Sequence, residues 1–302
     1  MRKNQASLSA LGIAVLRAVE MEKPAGERIC EDPFARRFIP GWFYGFIRFF
    51  IRSGYAEHRG KGVMGFLVAR DRYIDDYLAA QLKQGLDQLV ILGAGYDSRA
   101  YRFDGLRPPI RVFEVDHPAT QASKLDALRR IFGNLPEHVT YVPIDFNRQT
   151  LDECLVAHGY DPHARTVFIW QGVTYYLDAA AVDGTLSLIA HHAAPGSSVV
   201  FDFIDDALLK SAAHHGEVKG MKRYRGMTGE DLRFGIPLDQ IDSFLHSRGF
   251  EQVNTIRSED LKALYFSGKN QSRNVMSGYA IVSAVVSRHT IGEEDGNESE
   301  MP

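Results

Sequence analysis

The stretch VILGAGYDSRAYR, residues 90–102, decides the fold. An apolar run ends in Gly-Ala-Gly, and polar residues follow at once. Such a run reads as a buried strand that turns directly into a helix. Glycine at Gly93 and Gly95 lets the chain turn tightly and approach a ligand closely. The third glycine of a dinucleotide fingerprint is absent, and Ser98 stands in its place. By itself the stretch leaves open a dinucleotide, a phosphate, another nucleotide-type cofactor, or a tight turn with no ligand.

Around it the sequence alternates between two periods. Residues 88–92, 111–116, 139–145, 165–171 and 197–204 are short runs of strand composition, and residues 118–131, 148–158 and 178–193 between them are helical. This alternation predicts a parallel sheet covered by helices on both faces. Upstream, to about residue 84, the pattern is helical. Leu8, Leu11, Val15, Leu16 and Val19 recur every three or four residues. Asp32 and Pro33 open a second helix as N-cap and first-turn residue, and residues 41–51 and 65–82 form two more. Past residue 204 the rhythm breaks, and residues 205–235 read as an insertion over the sheet edge. A helix ending at Gly249 follows. Two strands, 250–256 and 278–287, come next with a loop between them, so the last strand is expected to run antiparallel. The tail, 288–302, is acidic and expected to be disordered.

Ligands of open α/β sheets sit at the carboxyl ends of the strands. Asp116 ends the second strand about 20 residues past the glycines, where a carboxylate can take ribose hydroxyls. Glu114, on the same face, is its rival. This arrangement suits NAD and S-adenosylmethionine equally. The third strand ends in Asp145-Phe146, where a carboxylate can accept from an adenine amino group. The fourth ends in WQGVTYYL, residues 170–177, which places Gln171, Tyr175 and Tyr176 at the mouth of the sheet.

Taken together and in order, these motifs resemble the bacterial S-adenosylmethionine-dependent methyltransferases of the leucine carboxyl methyltransferase-like superfamily, which includes carboxyl methyltransferases of polyketide pathways. The resemblance spans residues 4–287. It rests on SALGIAVLRAVE, EDPFARRF, VARDRYIDD, LGAGYDSRAYR, FEVDHPATQASKLDAL, IDF, WQGVTYYLDAAAVDGTL and LRFGI. It implies a class I methyltransferase core with a Rossmann-like seven-stranded sheet over residues 86–287, a helical N-terminal cap over 1–85, and S-adenosyl-L-methionine as cofactor. It also implies that Arg70 holds the cofactor carboxylate, a task suited to the guanidinium fork. Gly93, Ala94 and Gly95 would lie under the methionine part, Asp116 with His117 at the ribose, and Asp145 with Phe146 at the adenine. The family usually carries a glutamate where this chain has Gln171, which keeps an acceptor and loses a charge.

Composition narrows the partners. With 302 residues and a net charge of -3, the chain lacks the clustered Lys and Arg that nucleic-acid binding requires. Cys30 and Cys154 lie far apart without zinc spacing, so no metal is expected and a cytoplasmic, reduced setting fits. Residues 41–51, GWFYGFIRFFI, are too short to span a bilayer and carry Arg48. Aromatic residues from Trp42 to Phe50, with Tyr55 and Phe66, are expected to line a cap that suits a hydrophobic small molecule. A carboxylate acceptor is already ionised at neutral pH and needs no general base, only cations or hydroxyls to orient it. Arg17, Arg72, Tyr175 and Tyr176 are the candidates. A hydroxyl acceptor would need a base, and His117 is the nearest histidine. A protein C-terminal carboxyl methyltransferase, an NAD-dependent oxidoreductase and a non-catalytic cofactor-binding protein are the other readings. Nothing in the sequence fixes the oligomeric state.

Overall fold

Seven strands pair into one sheet: β1 (Gln88–Leu92), β2 (Arg111–Asp116), β3 (Val139–Pro143), β4 (Thr166–Trp170), β5 (Ser198–Ile204), β6 (Phe250–Arg257) and β7 (Tyr279–Val286). Their order is β3-β2-β1-β4-β5-β7-β6. The first five run parallel, and β7 pairs antiparallel with both β5 and β6. This is the sheet of class I S-adenosylmethionine-dependent methyltransferases. The structure is a computed structural model that describes residues 8–145, 149–214 and 231–287. Phe146, residues 215–230 of the expected insertion and the acidic tail lie outside the described residues.

The period of two along the strands sorts side chains into two cores. Leu89, Ile91, Val167 and Ile169 face one way, and Val90, Leu92, Phe168 and Trp170 face the other. The first face is covered by N-terminal helices: α1 (Leu8–Glu20), α2 (Ala35–Phe38), α3 (Gly41–Arg52) and α5 (Val63–Lys83), with the short α4 (Tyr55–Arg59) between the last two. From α5, Ile74 and Leu78 are fully buried in it; truncating either to alanine should cost about 2–5 kcal/mol. The hydrophobic core therefore runs across residue 85, where the sequence pattern changes. After the short α6 (Arg99–Arg102), α7 (Pro118–Phe132) completes the crossover to β3. The second face is covered by α8 (Leu151–Ala157), α9 (Ala179–His192) and α11 (Ile241–His246), while α10 (Asp206–His214) follows β5.

Three local expectations shift. Residues 257–265 were expected as loop, but α12 (Ser258–Tyr265) lies there, started by the Arg257 N–H donating to Asp260 Oδ2 at 2.9 Å. Leu261 is its one fully buried apolar side chain, so no helical period shows in the sequence. The last strand is antiparallel even with this helix present. Strand β3 stops at Pro143, two residues before the expected end; as the edge strand it tolerates proline there, because the Asp116 carbonyl takes its bond from the Ile144 N–H. Asp32 does cap, accepting from the N–H groups of Phe34 (3.0 Å) and Ala35 (2.9 Å), but the helix begins only at Ala35.

Candidate cofactor site

Strand order reverses at β1, between β2 and β4, and the residues that end these strands meet there. Gly93 and Gly95 have φ of +66° and +47°. A Cβ on Gly93 would sit 2.4 Å from Val173 Cγ2, so position 93 is glycine for both conformation and space. The Ala94 N–H donates to the Val115 carbonyl at 3.0 Å. The Gly95 N–H donates to Asp116 Oδ2 (2.5 Å), and the His117 N–H donates to Asp116 Oδ1 (2.6 Å). Loop and carboxylate form one unit. Each carboxylate oxygen keeps a second lone pair, enough to accept from a ribose hydroxyl. Burial raises the Asp116 pKa, and the two backbone donors oppose that rise. Glu114, the rival, is committed elsewhere. It is fully buried, bound to Lys124 Nζ at 2.8 Å and accepting from Tyr101 Oη at 2.8 Å. His117 is the N-cap of α7, its Nδ1 accepting from the Ala119 N–H at 3.2 Å. Asp145 is half-buried just past β3, beside Ile144, whose N–H donates to the Asp116 carbonyl at 2.9 Å.

The other half of the site is built of charge. Arg70 and Asp71 turn inward from α5. Arg70 Nη1 donates to Asp202 Oδ2 at 2.6 Å and to Tyr175 Oη at 3.2 Å, and both ion-pair partners are buried. The second oxygen of Asp202 accepts from the Gly172 N–H at 2.6 Å, which fixes the turn after β4. Gln171 Nε2 donates to Asp71 Oδ1 at 2.8 Å. Arg17 Nη1 and Arg99 Nη2 each lie 3.6 Å from that same oxygen. Arg99 also binds Asp97 and donates to Asp75 Oδ1 at 2.7 Å, which Arg102 shares at 2.7 Å. Arg17 lies 3.0 Å from Asp32 and donates to the Tyr96 carbonyl at 2.6 Å.

Burial opposes the charge on Asp71 and on Asp97. The neighbouring arginines outweigh it, and both carboxyls titrate below the usual range. Burial likewise opposes the charge on Arg70, but Asp202, Tyr175 and Asp71 raise its pKa. Among the described residues, Arg17, Arg70, Arg99 and Arg102 meet Asp32, Asp71, Asp75, Asp97 and Asp202, one negative charge in excess. Arg70 Nε, Asp71 Oδ2 and Gln171 Oε1 are buried without a hydrogen-bond partner. One unused donor and two unused acceptors, on the inward side of α5 and just past β4, suit a zwitterionic amino-acid tail.

Of the four candidate orienting residues, Tyr175 is buried beside Arg70, and Tyr176 packs edge-on against it with ring centroids 4.7 Å apart. Arg17 belongs to the ion cluster. Arg72 does not reach the site. Two residues past Arg70 on a helix it faces outward, paired with Asp76 at 2.9 Å and lying over the Tyr265 ring. The cap expectation also needs correction: Tyr44 and Phe66 are buried, but Trp42, Phe46 and Phe49 point outward and are exposed. Sequence reasoning missed Asp71, Asp97, Arg99 and Asp202. Asp202 had a readable signal, because a lone carboxylate inside the apolar run SVVFDFI must find a buried partner.

The fold is that of the class I S-adenosylmethionine-dependent methyltransferases. A family model for leucine carboxyl methyltransferase matches residues 10–190, and the chain belongs to that family. A relative from Bacillus subtilis, "Putative S-adenosyl-L-methionine-dependent methyltransferase YktD", is 31% identical over 218 residues, covering 72% of this chain and 71% of its own. A methyltransferase of the same printed description from Rhodococcus jostii is 33% identical over 199 residues, covering 65% of each. The crystal structure of a "putative methyltransferase" from Thermobifida fusca covers 95% of this chain and 97% of its own, with a TM-score of 0.56 and 14% identity; that likeness concerns the fold.

Proposed function

We propose that the chain transfers a methyl group to the carboxylate of a hydrophobic small molecule, such as a polyketide-type acid. The observation that carries this reading is the state of the candidate bases. His117 Nδ1 is occupied by the Ala119 N–H. Asp71, Asp75, Asp97 and Asp202 are held in ion pairs with arginines. A site whose carboxylates and nearest histidine are so committed favours an acceptor that arrives already ionised.

In this reading Asp116 takes the ribose hydroxyls, Asp145 with Phe146 the adenine, and Gly93 to Gly95 the methionine backbone. Arg70 Nε meets the cofactor carboxylate, while Asp71 and Gln171 accept from its ammonium. The cofactor supplies an electrophilic methyl on a sulfonium. The protein aligns the acceptor oxygen with it and keeps water out, with Tyr175 and Tyr176 as orienting hydroxyls. A protein C-terminal carboxylate is the second acceptor reading, from the family match alone.

Incubation with methyl-labelled cofactor and host metabolite extract tests the proposal. A labelled small molecule that releases methanol in mild alkali is a methyl ester and supports it. An alkali-stable labelled ether would refute it, and label confined to protein would move the acceptor to a polypeptide.

A further inference from the structure

Helix α3 is apolar on two sides. Phe43, Ile47 and Ile51 pack against the core below, and Tyr44 is buried. On its outer side Trp42, Phe46 and Phe49 recur at the spacing of one helix face, exposed by 77%, 59% and 69%. Tyr55 extends the patch at 41%, and Phe50 links it, with ring centroids 4.9 Å from Phe46 and 5.6 Å from Tyr55. Half of the large exposed apolar side chains among the described residues fall in these few turns. A helix with apolar side chains on two sides is normally covered on both.

Two features say by what. The first is charge. Residues 36–61 contain Arg36, Arg37, Arg48, Arg52, Arg59 and Lys61 against Glu57 alone, in a chain whose net charge is -3. On α3, Arg48 and Arg52 share the single carboxylate of Glu22, at 2.6 and 3.6 Å, so positive charge is left over beside the aromatic face. The second is area. A ring covers about 150–250 Å² when fully buried. These partly exposed rings therefore offer on the order of 500 Å², short of the roughly 800 Å² per partner of a standard protein interface. Small, aromatic, tryptophan-bearing and flanked by arginine, the face matches a helix that lies in the headgroup region of a bilayer. No helix of the described residues is long and apolar enough to cross one.

We propose that α3 docks the protein on an anionic phospholipid surface, with Trp42, Phe46 and Phe49 entering the acyl boundary and Arg48 and Arg52 beside the phosphates. The proposal does not depend on which group is methylated.

The full chain is tested against vesicles of phosphatidylcholine alone and of phosphatidylcholine mixed with phosphatidylglycerol. Cosedimentation and tryptophan emission are the readouts. The chain has two tryptophans, and Trp170 is already buried, so a blue shift reports Trp42. Binding is expected with the anionic vesicles, weakened several-fold by Arg52→Glu or by raised salt. A Phe46→Ser/Phe49→Ser variant should lose at least tenfold, with its melting temperature and S-adenosylhomocysteine affinity unchanged. No binding to anionic vesicles, or binding that this variant retains in full, overturns the proposal. A blue shift that tracks protein concentration without lipid also overturns it, giving the face to a second copy.

Discussion

The ion cluster at the sheet mouth and the outer face of α3 invert the usual partition of residues in opposite senses. In the first, Arg70 and Arg99 are among the largest fully buried side chains of the described residues. In the second, Trp42 is exposed by 77%. Buried charges hold only when paired, and exposed aromatic patches are rare unless something covers them. The two regions differ in what stabilises them. The cluster is completed largely from within, by Asp71, Asp75, Asp97 and Asp202, and leaves Arg70 Nε, Asp71 Oδ2 and Gln171 Oε1 without a hydrogen-bond partner at the site. Among the described residues, nothing completes the outer α3 face. Mutations should therefore act on folding in one region and leave it untouched in the other.

The largest effect is expected from Arg99→Ala. It strands Asp97, leaves Asp75 to Arg102 alone, and should destabilise the protein by about 3–5 kcal/mol in urea unfolding. A loss below about 1 kcal/mol would show that water reaches the cluster. Next, Asp116→Ala removes the acceptor that Gly95 and His117 share, and S-adenosylhomocysteine affinity should fall at least a hundredfold, about 2.7 kcal/mol. Calorimetric titration that finds unchanged affinity rules out the ribose role.

A smaller change is expected from Gln171→Glu, which sets a second carboxylate where Gln171 now donates to Asp71 at 2.8 Å. Cofactor affinity should drop roughly tenfold at neutral pH, about 1.4 kcal/mol. Adding Asp71→Asn should restore it, since one negative charge then remains. A double variant no better than the single one breaks the assignment of the ammonium to this pair.

Acid should weaken the cluster. The folded-state pKa values of Asp71 and Asp97 lie below their unfolded values near 3.9. Their contribution is thus present in full above that range and lost as pH falls through the folded values. The melting temperature should drop below about pH 4, and less steeply in an Asp97→Asn variant once its lower starting value is subtracted. Smallest of all, Trp42→Ser should change stability by no more than about 0.5 kcal/mol, and a larger loss would mean that α3 packs outward against the protein.

The two regions were also unequally legible. The parallel core shows because strands buried on both faces are continuous apolar runs, and the helices between them keep a clear period. Gly93 and Asp116 stand at junctions between such elements and can be found by position. Arg99 and Asp97 lie in the opening stretch itself, within GYDSRAYR, but sequence does not say whether a charge after a tight turn faces water or the core. Arg70 and Arg72 are chemically equal and two residues apart, and only the phase of α5 separates the buried one from the exposed one. The aromatic run of α3 was visible as apolar. Which rings turn inward depends on where Tyr44 meets Glu22, a contact 22 residues away.

The N-terminal helices are also fastened to the far end of the chain. Arg273 binds Glu20 across 253 residues, Lys269 binds Glu27, and the Met276 N–H donates to the Gly62 carbonyl at 2.9 Å. During synthesis at about 5–20 residues per second, α1 waits on the order of 10 to 50 s for these partners. Helices α2 and α5 can cover the apolar side of α1 long before that, so what the interval leaves open is the charge of Glu20 and Glu27, whose partners Arg273 and Lys269 arrive last.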